Sequence, residues 1–398
     1  MVSINMIERS NANRTINWTN SLYLILAPFI AAYGLYYWIS SGSFNWNTII
    51  LLLVLMTFCQ VSITAGYHRL FSHRTYTAAW PVRLFFLIFG AGAFEGSAIH
   101  WSLDHRVHHN YVDDNDRDPY SIGKGFFWAH MGWLLFKQDE QVYDEVKNVK
   151  AKDLYADPLL TWQMKYWVFV GVFVTFVLPA LIAISWGDFW GGLLIAGVLR
   201  SVINHHSTFL INSLSHVMGK QTYSDSHSAR DNLFTAILTF GEGYHNYHHE
   251  FPSDYRNGTR IWDWDPSKWI IKALSYLGLV TDLKKIPEEI IIRKKMQMKE
   301  KRLQKRLANK KDFFSTSHIE ALQGLKDRME EAFKEVSKYR TEMQKLLKSK
   351  KQFNHGHSFI KLEIEVLKDQ MHKARAEFMY AVREWNFQRR RVLAFAKA

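Results

Sequence analysis

The sequence predicts an all-α integral membrane protein in which four transmembrane helices carry a cytoplasmic helical cap, and this cap holds a histidine-rich site for two metal ions. Three observations predict this fold class. Four apolar runs approach or exceed the roughly 20 residues that cross a bilayer. Nine of the 18 histidines fall into four short clusters. The segment between the first and second runs and the segment between the third and fourth runs carry no Lys or Arg.

The four apolar runs lie at about residues 19–39, 48–66, 166–186 and 189–211. Polar residues precede the first run, and no small-residue cleavage motif follows it at the distance that a signal peptide requires. We therefore expect residues 1–17 to form an N-terminal cytoplasmic segment.

A fifth apolar stretch, RLFFLIFGAGAFEGSAIH at residues 83–100, decides the topology. A full crossing there would place His68 and His73 on the opposite side of the membrane from His105. Its apolar core is only about a dozen residues long before Glu95, and short runs of this kind are typical of buried or interfacial segments. We expect a re-entrant or interfacial segment that returns to the same side.

Charge placement orients the chain. The segment SSGSFNWN has no Lys or Arg, and WGD has only Asp188. By the positive-inside rule, both termini and all histidine clusters face the cytoplasm. Arg200 falls within the fourth run, where a charge is costly unless it faces protein or a water-filled cavity; a helix that has already left the bilayer at this point explains it equally well. The single cysteine, Cys59, gives no disulfide framework, which is compatible with a reducing compartment.

The histidine clusters are HRLFSH, HRVHH, NSLSH and HNYHH. Neutral imidazole binds iron, zinc or copper, and spacings of three and four residues on a helix direct rings toward one locus. Zinc rarely needs more than four protein ligands, so nine imidazoles favour two metals with open positions. The nine are His68, His73, His105, His108, His109, His216, His245, His248 and His249. We interpret five others as satisfied by local hydrogen bonds: His100, His130, His205, His206 and His227.

The motifs GYHRLFSHRTY, DHRVHH, INSLSH and FGEGYHNYHHEFPSDYRNG resemble, in order, the histidine boxes of membrane-bound fatty acyl desaturases of the stearoyl-CoA type. The resemblance covers roughly residues 18–283. It implies an O2-dependent enzyme with two iron ions that inserts a cis double bond, at Δ9, into a saturated long-chain acyl thioester or lipid. It implies no catalytic residues beyond the metal ligands.

The resemblance also implies how the two irons are held. One iron takes His68, His73, His105, His109 and His249, and the other takes His108, His216, His245 and His248. Asn212 holds the second iron through a water. The division between the irons is less firmly implied than the set of ligands, because spacing does not show which ring reaches which ion.

Carboxylates near the clusters are candidates to accept the outer N–H of a ligand ring. The candidates are Asp104, Asp113, Asp114, Asp118, Asp231 and Glu242. For each alone a solvated loop carboxylate is the simpler interpretation, and we favour Asp104 and Glu242 as the exceptions.

The family binds its acyl chain in a bent tunnel. The resemblance implies that Trp101, Thr208 and Phe209 lie near the bend, and that Met56 and Gln60 lie near the far end. Such side chains in helices are equally consistent with ordinary core packing.

The chain departs from animal and fungal members at two points. Leu103 stands where those enzymes commonly have an Arg, so contacts to a CoA phosphate are not implied, and the carrier is left open between acyl-CoA, acyl carrier protein and phospholipid. No HPGG haem motif follows residue 283, so electrons are expected from a separate ferredoxin or cytochrome. The sequence around residues 102–133 looks more like that of bacterial members, which implies a bacterial inner membrane.

A basic tail, residues 284–398, carries the whole charge excess, with 30 Lys and Arg against 15 Asp and Glu. Its pattern predicts two or three long helices, separated near Asp312 to Thr316 and Asn354 to Ser358, with too few apolar positions for a large core. Three roles are open: contact with anionic lipid headgroups, docking of an acidic redox partner, or a solvated coiled coil. We expect no nucleic-acid binding, since cationic residues on a membrane protein serve lipid contact by the same physics.

Two other functions are open on the residues alone. A membrane hydroxylase with related histidine boxes would use the same oxidant on an acyl chain or alkane. A non-catalytic, metal-binding membrane scaffold would use the tail as its working part.

Overall fold

Three of the helices that the structure describes are long and apolar enough to cross a membrane, and all three belong to the first of two compact units, which ends at Ile286. The first span is Trp18–Ser40, the second is Trp46–Ser72 and the third is Pro158–Ile184. They coincide with three of the four predicted runs, and each exceeds the roughly 20 residues that a bilayer requires. The structure is a computed structural model that describes residues 15–308, 316–352 and 357–395.

The fourth predicted run is also helical, over Phe189–Gly191, Gly192–Leu199 and Arg200–Asn212, but it is not among the three membrane-competent helices. Its charged residue, Arg200, is fully buried and donates to the carbonyl oxygens of Ala196, at 3.0 Å, and Gly92, at 3.1 Å. The guanidinium therefore faces protein. Facing protein, like facing a water-filled cavity, is a condition under which a charge is tolerated within an apolar run. A fourth span remains a prediction.

The stretch at residues 83–100 is broken. A helix covers Trp80–Ala91, the chain reverses through Phe94 and Gly96, both with positive φ, and a second helix covers Ala98–Tyr111. Phe94 has φ 62° and Gly96 has φ 99°, a conformation that suits a tight reversal. The reversal brings His105 back beside the end of the second span.

Two glycines let the helix Trp80–Ala91 approach the second span closely. A Cβ at Gly66 would lie 2.7 Å from Cβ of Phe86, and a Cβ at Gly90 would lie 2.3 Å from the ring of Tyr67. Neither distance is compatible with a larger side chain. These contacts fix the second span, which carries His68, against its neighbour.

The second span changes its winding before its end. Trp46–Val61 is α-helical, and Ser62–Ser72 is a π-helix in which hydrogen bonds join residues five apart. The N–H of His73 continues this pattern by donating to the carbonyl of His68 at 3.1 Å.

The first unit also contains two short strands, the third span and several short helices. An antiparallel pair of strands, Thr77–Ala78 and Val280–Thr281, joins Thr77 to Thr281 and Ala78 to Val280. The third span is α-helical over Pro158–Val172 and Leu178–Ile184 and π-helical over Phe173–Val177. The other helices and turns are Ile122–Lys124, Trp128–Gly132, Trp133–Leu135, Glu140–Asn148, Lys152–Tyr155, Leu214–Val217, Leu233–Leu238, His245–Glu250 and Pro266–Tyr276.

The second unit, Pro287–Ala398, contains three long helices over Glu288–Ala308, Thr316–Gln352 and His357–Phe395. The breaks predicted between them fall largely on residues outside those described. The helices share a buried cluster that contains Phe378 and Trp385. The tail therefore has a small apolar core of its own. Over 37-residue and 39-residue helices, apolar residues spaced by about seven still form one continuous stripe.

Candidate metal centre and cavity

The nine predicted histidines meet in two groups. Within each group every residue offers one ligand atom, and these atoms all lie within 4.8 Å of one another. The first group is His68, His73, His105, His109 and His248, and the second is His108, His216, His245 and His249. Rings from HRLFSH and HNYHH therefore share one side of the structure.

The first group gathers around closely spaced Nε2 atoms. The Nε2 atom of His248 lies 2.9 Å from that of His68 and 2.8 Å from that of His109. The Nε2 atoms of His73 and His105 are 2.8 Å apart. The π-helix explains the placement of His68 beside His73, because α-helical winding would set residues five apart about 140° from each other.

The second group is built on the short helix His245–Glu250. His245 and His249, four residues apart, share a face, and their Nε2 atoms are 3.1 Å apart. The Nε2 atom of His249 lies 3.3 Å from that of His108, and those of His216 and His245 are 3.0 Å apart.

In the structure His248 lies in the first group and His249 in the second, which is the reverse of the division that the resemblance implied. His249 lies with His245 because four residues make about one helical turn, whereas His248 is rotated about 100° from His249 and faces the first group. The four-residue spacing of His245 and His249 was enough by itself to predict that these two residues share a group.

Carboxylates orient a ring in each group. Nδ1 of His68 lies 2.8 Å from Oε2 of Glu242, and Nδ1 of His108 lies 2.9 Å from Oδ1 of Asp118. An acceptor at Nδ1 favours the tautomer that carries its proton there, which leaves the lone pair of Nε2 pointing inward. Glu242 was a favoured sequence candidate for this role, whereas a solvated position was the simpler interpretation of Asp118.

Glu242 belongs to a buried ion-pair network. Arg69 donates from Nη2 to Glu242 at 2.9 Å and from Nη1 to Asp265 at 3.2 Å, and Asn257 donates to Glu242 at 2.6 Å. Burial raises the pKa of Glu242, but His68 and Arg69 outweigh it and lower the pKa below its usual value. The carboxylate is therefore ionised and held as an acceptor.

Three ligand rings outside the spans are held in the neutral form. Burial, and then the neighbouring imidazoles, lower the pKa of His105, His109 and His248 well below the usual range. Neutral imidazole is the form that coordinates a metal.

The inward nitrogens fit a pair of metal ions. A neutral imidazole has one N–H, so a ring that donates from Nδ1 presents only a lone pair at Nε2. Nε2 of His248 faces two other Nε2 atoms at less than 3 Å, and one proton cannot satisfy all three. A cation among these lone pairs resolves the conflict, and nitrogen ligands suit iron, zinc and copper.

A cavity of about 440 Å³ reaches the histidines. Four of the five predicted acyl-contacting residues line it: Gln60, Trp101, Thr208 and Phe209. Met56, one helical turn before Gln60, does not line it. The wall also includes Asn212, Asp104 and Glu242 together with His68, His105 and His245.

Asp104 occupies a different place from Glu242. It lines the cavity, and the contacts of the described residues include no hydrogen bond from it to an imidazole. Burial raises the pKa of Asp104 to about 7. Of the other candidates, Asp113 lies 3.8 Å from Nδ1 of His216, and Asp114 pairs with Arg117 on the surface. Asp231 accepts from the backbone N–H of Tyr247 at 3.0 Å.

Glu95 was not identified from the sequence. Its carboxylate lines the cavity and accepts hydrogen bonds from Trp101 at 3.3 Å, Asn204 at 2.9 Å and Thr208 at 2.8 Å. Burial raises the pKa of Glu95 to about 7, against the lowering by these donors. The available signal was a single carboxylate in an apolar stretch.

The histidines set aside in the sequence differ among themselves. His130 contacts Ser213 at 2.9 Å and His206 at 3.1 Å, and His205 contacts the carbonyl of Phe94 at 3.1 Å. These three have local partners, as expected. His100 lines the cavity.

His227 departs from that expectation. Neither of its ring nitrogens has a hydrogen-bond partner among the described residues.

Comparison with known proteins agrees with this geometry. A model of the family described as fatty acid desaturase matches residues 44–262, which is more than half of the chain. A probable acyl-CoA desaturase of Schizosaccharomyces pombe is 40% identical over 289 residues, which cover 72% of this chain and 59% of that protein. The chain thus spans about three fifths of that relative's length.

Two further relatives are covered more fully. An acyl-CoA Δ11 desaturase of Spodoptera littoralis is 39% identical over 65% of this chain and 76% of its own length. A Δ9 fatty-acid desaturase of Caenorhabditis elegans is 37% identical over 69% of this chain and 81% of its own length.

Proposed function

We propose that this chain, which belongs to the fatty acid desaturase family, inserts a cis double bond into a saturated long-chain fatty acyl group at the expense of O2. The observation that carries the proposal is the convergence of nine imidazoles in two groups, three of which, His68, His105 and His245, line a cavity. The chain is a membrane protein with three membrane-competent helices, so an apolar substrate can reach this cavity from the bilayer.

We assign one iron to His68, His73, His105, His109 and His248, and a second to His108, His216, His245 and His249. Asn212, on the cavity wall beside His245, is proposed to hold the second iron through a water. Bound iron would supply the oxidising power for removing hydrogen from an unactivated carbon. Glu242 and Asp118 hold His68 and His108 in the tautomer that presents Nε2.

The reaction balances with two external electrons. The acyl chain loses two hydrogens, O2 is reduced to two waters, and two protons and two electrons enter. We propose a separate ferredoxin or cytochrome as the electron donor.

The cavity walls are proposed to set the position of the double bond. Trp101 and Thr208, which donate to Glu95, line the cavity, and so does Gln60. We propose Δ9 regiochemistry by family membership. The identities of 39% and 37% to relatives named for Δ11 and Δ9 desaturation are too similar to decide between the two positions.

We propose acyl-CoA as the carrier, because two of the relatives above are named as acyl-CoA desaturases. Leu103, the position at which the sequence lacks an Arg, is 4% exposed and lies in the apolar core. Acyl carrier protein and phospholipid remain outcomes of the carrier test, in which each loaded carrier is supplied to purified protein.

We propose that both termini and the histidine groups face the cytoplasm, with Phe189–Asn212 as a fourth span. A bacterial inner membrane remains the predicted setting. Labelling of single cysteines placed at Ser41 and at Lys147 in intact cells tests the orientation. The proposal requires Ser41 to react from outside and Lys147 only after lysis.

The test of function is fatty-acid profiling of cells that express the protein, with iron and a reductant supplied in air. Desaturation removes two mass units from the substrate chain. A gain of sixteen would instead identify a hydroxylase, and unchanged lipids with iron bound would favour a metal-binding scaffold.

A further inference from the structure

One histidine outside both groups is buried without a partner. His227 is only 9% exposed, and neither Nδ1 nor Nε2 has a hydrogen-bond partner in the part of the chain that the structure describes. Leaving a buried polar atom without a partner is unfavourable, because the atom has lost its hydrogen bonds to water. A native protein that keeps such a ring usually provides a water, an ion or a metal for it.

The ring of His227 lies beside the second group. Its centroid is 5.1 Å from that of His249, with the ring planes inclined by 41°. The ring pairs within the second group have similar separations, from 4.5 Å for His245 and His249 to 5.6 Å for His216 and His249. His227 is therefore spaced from His249 as the proposed ligands are spaced from one another.

The backbone on both sides of His227 is held in place. Asn246, between two residues of the histidine helix, accepts from the N–H of Tyr223 at 2.7 Å and donates to the carbonyl of Ala229 at 2.9 Å. Gln221 donates to the carbonyl of His227 itself at 2.7 Å. These bonds hold the backbone at His227 and leave the side chain free to turn about its own bonds.

The same loop already serves the second group. Ser228, the next residue, lies 2.6 Å from Nδ1 of His216 through its hydroxyl, and its N–H donates to Asp113 at 2.6 Å. A residue that orients a ligand of this group is thus adjacent in sequence to the unpartnered ring.

We propose that His227 is a fifth imidazole of the second group and binds the metal ion that His108, His216, His245 and His249 hold. This inference rests on the proposed function. It gives both groups five imidazoles, whereas the four ligand atoms within 4.8 Å of one another do not include His227. Rotation of the His227 side chain toward His249 completes the set when the metal is bound.

The test measures metal affinity directly. Full-length protein in detergent, stripped of metal, is titrated with Co²⁺ under nitrogen against a competing chelator, with visible absorption as the readout. Wild type is expected to bind two ions per chain. His227→Ala should weaken one binding step by about 10-fold to 100-fold, the range seen when groups around a metal site are removed, and should change the absorption band of that ion.

Two variants serve as references. His206→Ala removes a partly buried histidine outside both groups and should leave both steps unchanged. His227→Asn keeps a polar atom that can bind a metal, so its affinity should lie between those of wild type and His227→Ala. If His227→Ala aggregates, His227→Asn alone decides by the same titration.

The outcomes separate this inference from the proposed function. A wild-type chain that binds fewer than two ions overturns both. A wild-type chain that binds two ions and desaturates lipids, while both His227 variants match its affinities and spectrum, overturns only the inference about His227.

Discussion

The two units of the chain have opposite interiors. Up to Ile286 the interior holds nine imidazoles and the Arg69–Glu242–Asp265 network. From Pro287 onward the described core is mainly apolar, with Phe378 fully buried and Trp385 3% exposed. The carboxylate of Glu289 is also buried there and pairs with Arg340, whereas other ion pairs, such as Arg328 with Glu377, lie on the surface.

This difference indicates where the function lies. Burying polar and ionisable groups is unfavourable unless they are paired, so a unit that buries many of them does so for a reason other than stability. The tail follows the ordinary arrangement of an apolar core and charged surface. We therefore expect variants in the first unit to affect chemistry and variants in the tail to affect other properties.

Loss of one imidazole in either group should have the largest effect. His248→Ala removes a ligand of the first iron and His108→Ala a ligand of the second, and neither alters a membrane-competent helix. We expect no detectable desaturation, with the protein still in the membrane fraction. Fatty-acid profiles and immunoblots of membranes measure this, and His206→Ala is the matched control. Wild-type rates in either variant would contradict the ligand assignment.

Removal of the carboxylate behind His68 should have the next largest effect. Glu242→Gln keeps the size of the side chain but loses the charge that Arg69 and His68 face. We expect metal affinity to fall by about 10-fold to 100-fold, measured by iron retained during dialysis against a chelator. Glu330→Gln, which breaks an ion pair on the tail between Arg293 and Glu330, is the control and should retain iron normally.

Truncation of the tail should reduce activity less than either change. A chain that ends at Ile286 removes the whole second unit, including Glu288–Ala308, whose Met296 and Leu303 belong to the tail core. We expect desaturation to continue at a measurable rate per iron. Complete loss of turnover with normal iron content would place part of the chemistry in the tail and end the contrast between the units.

The smallest expected effect is on the pH dependence of stability. The pKa of Glu95 is about 7 in the folded chain, above its usual value, so the folded state binds the proton more tightly than the unfolded state. The resulting stabilisation is fully present below the usual carboxyl pKa and is lost as the pH rises through 7. The unfolding temperature of wild type should therefore fall between pH 5 and pH 8 by more than that of Glu95→Gln.

The sequence predicted which histidines meet, but not how. The spacing of His245 and His249 follows α-helical geometry, and their shared group could have been deduced. The five-residue spacing of His68 and His73 could not, because only the π-helix at Ser62–Ser72 brings them together. Helical winding of this kind depends on contacts that hydrophobic periodicity does not encode.

Long-range contacts were the other part that the sequence did not reveal. Asp118 reaches His108 from a turn, and Glu95 meets Thr208 from 113 positions away. Asp118 lies in a polar, acidic segment that gives no sign of burial, and only the apolar stretch around Glu95 marks that carboxylate as unusual. The members of the tail core were likewise not predictable one by one, since the depth of burial of Phe378 depends on which helices lie beside it.

The π-helix makes the metal site sensitive to the deletion of a single residue. Deleting one residue within Ser62–Ser72 would shorten the helix by about 1.5 Å and return it toward α-helical winding, with His68 turned by about 100°. The shortened segment would be as apolar as before and would enter the bilayer as readily. A descendant with that deletion would look unchanged in a hydropathy plot and would have lost its metal chemistry in a single genetic event.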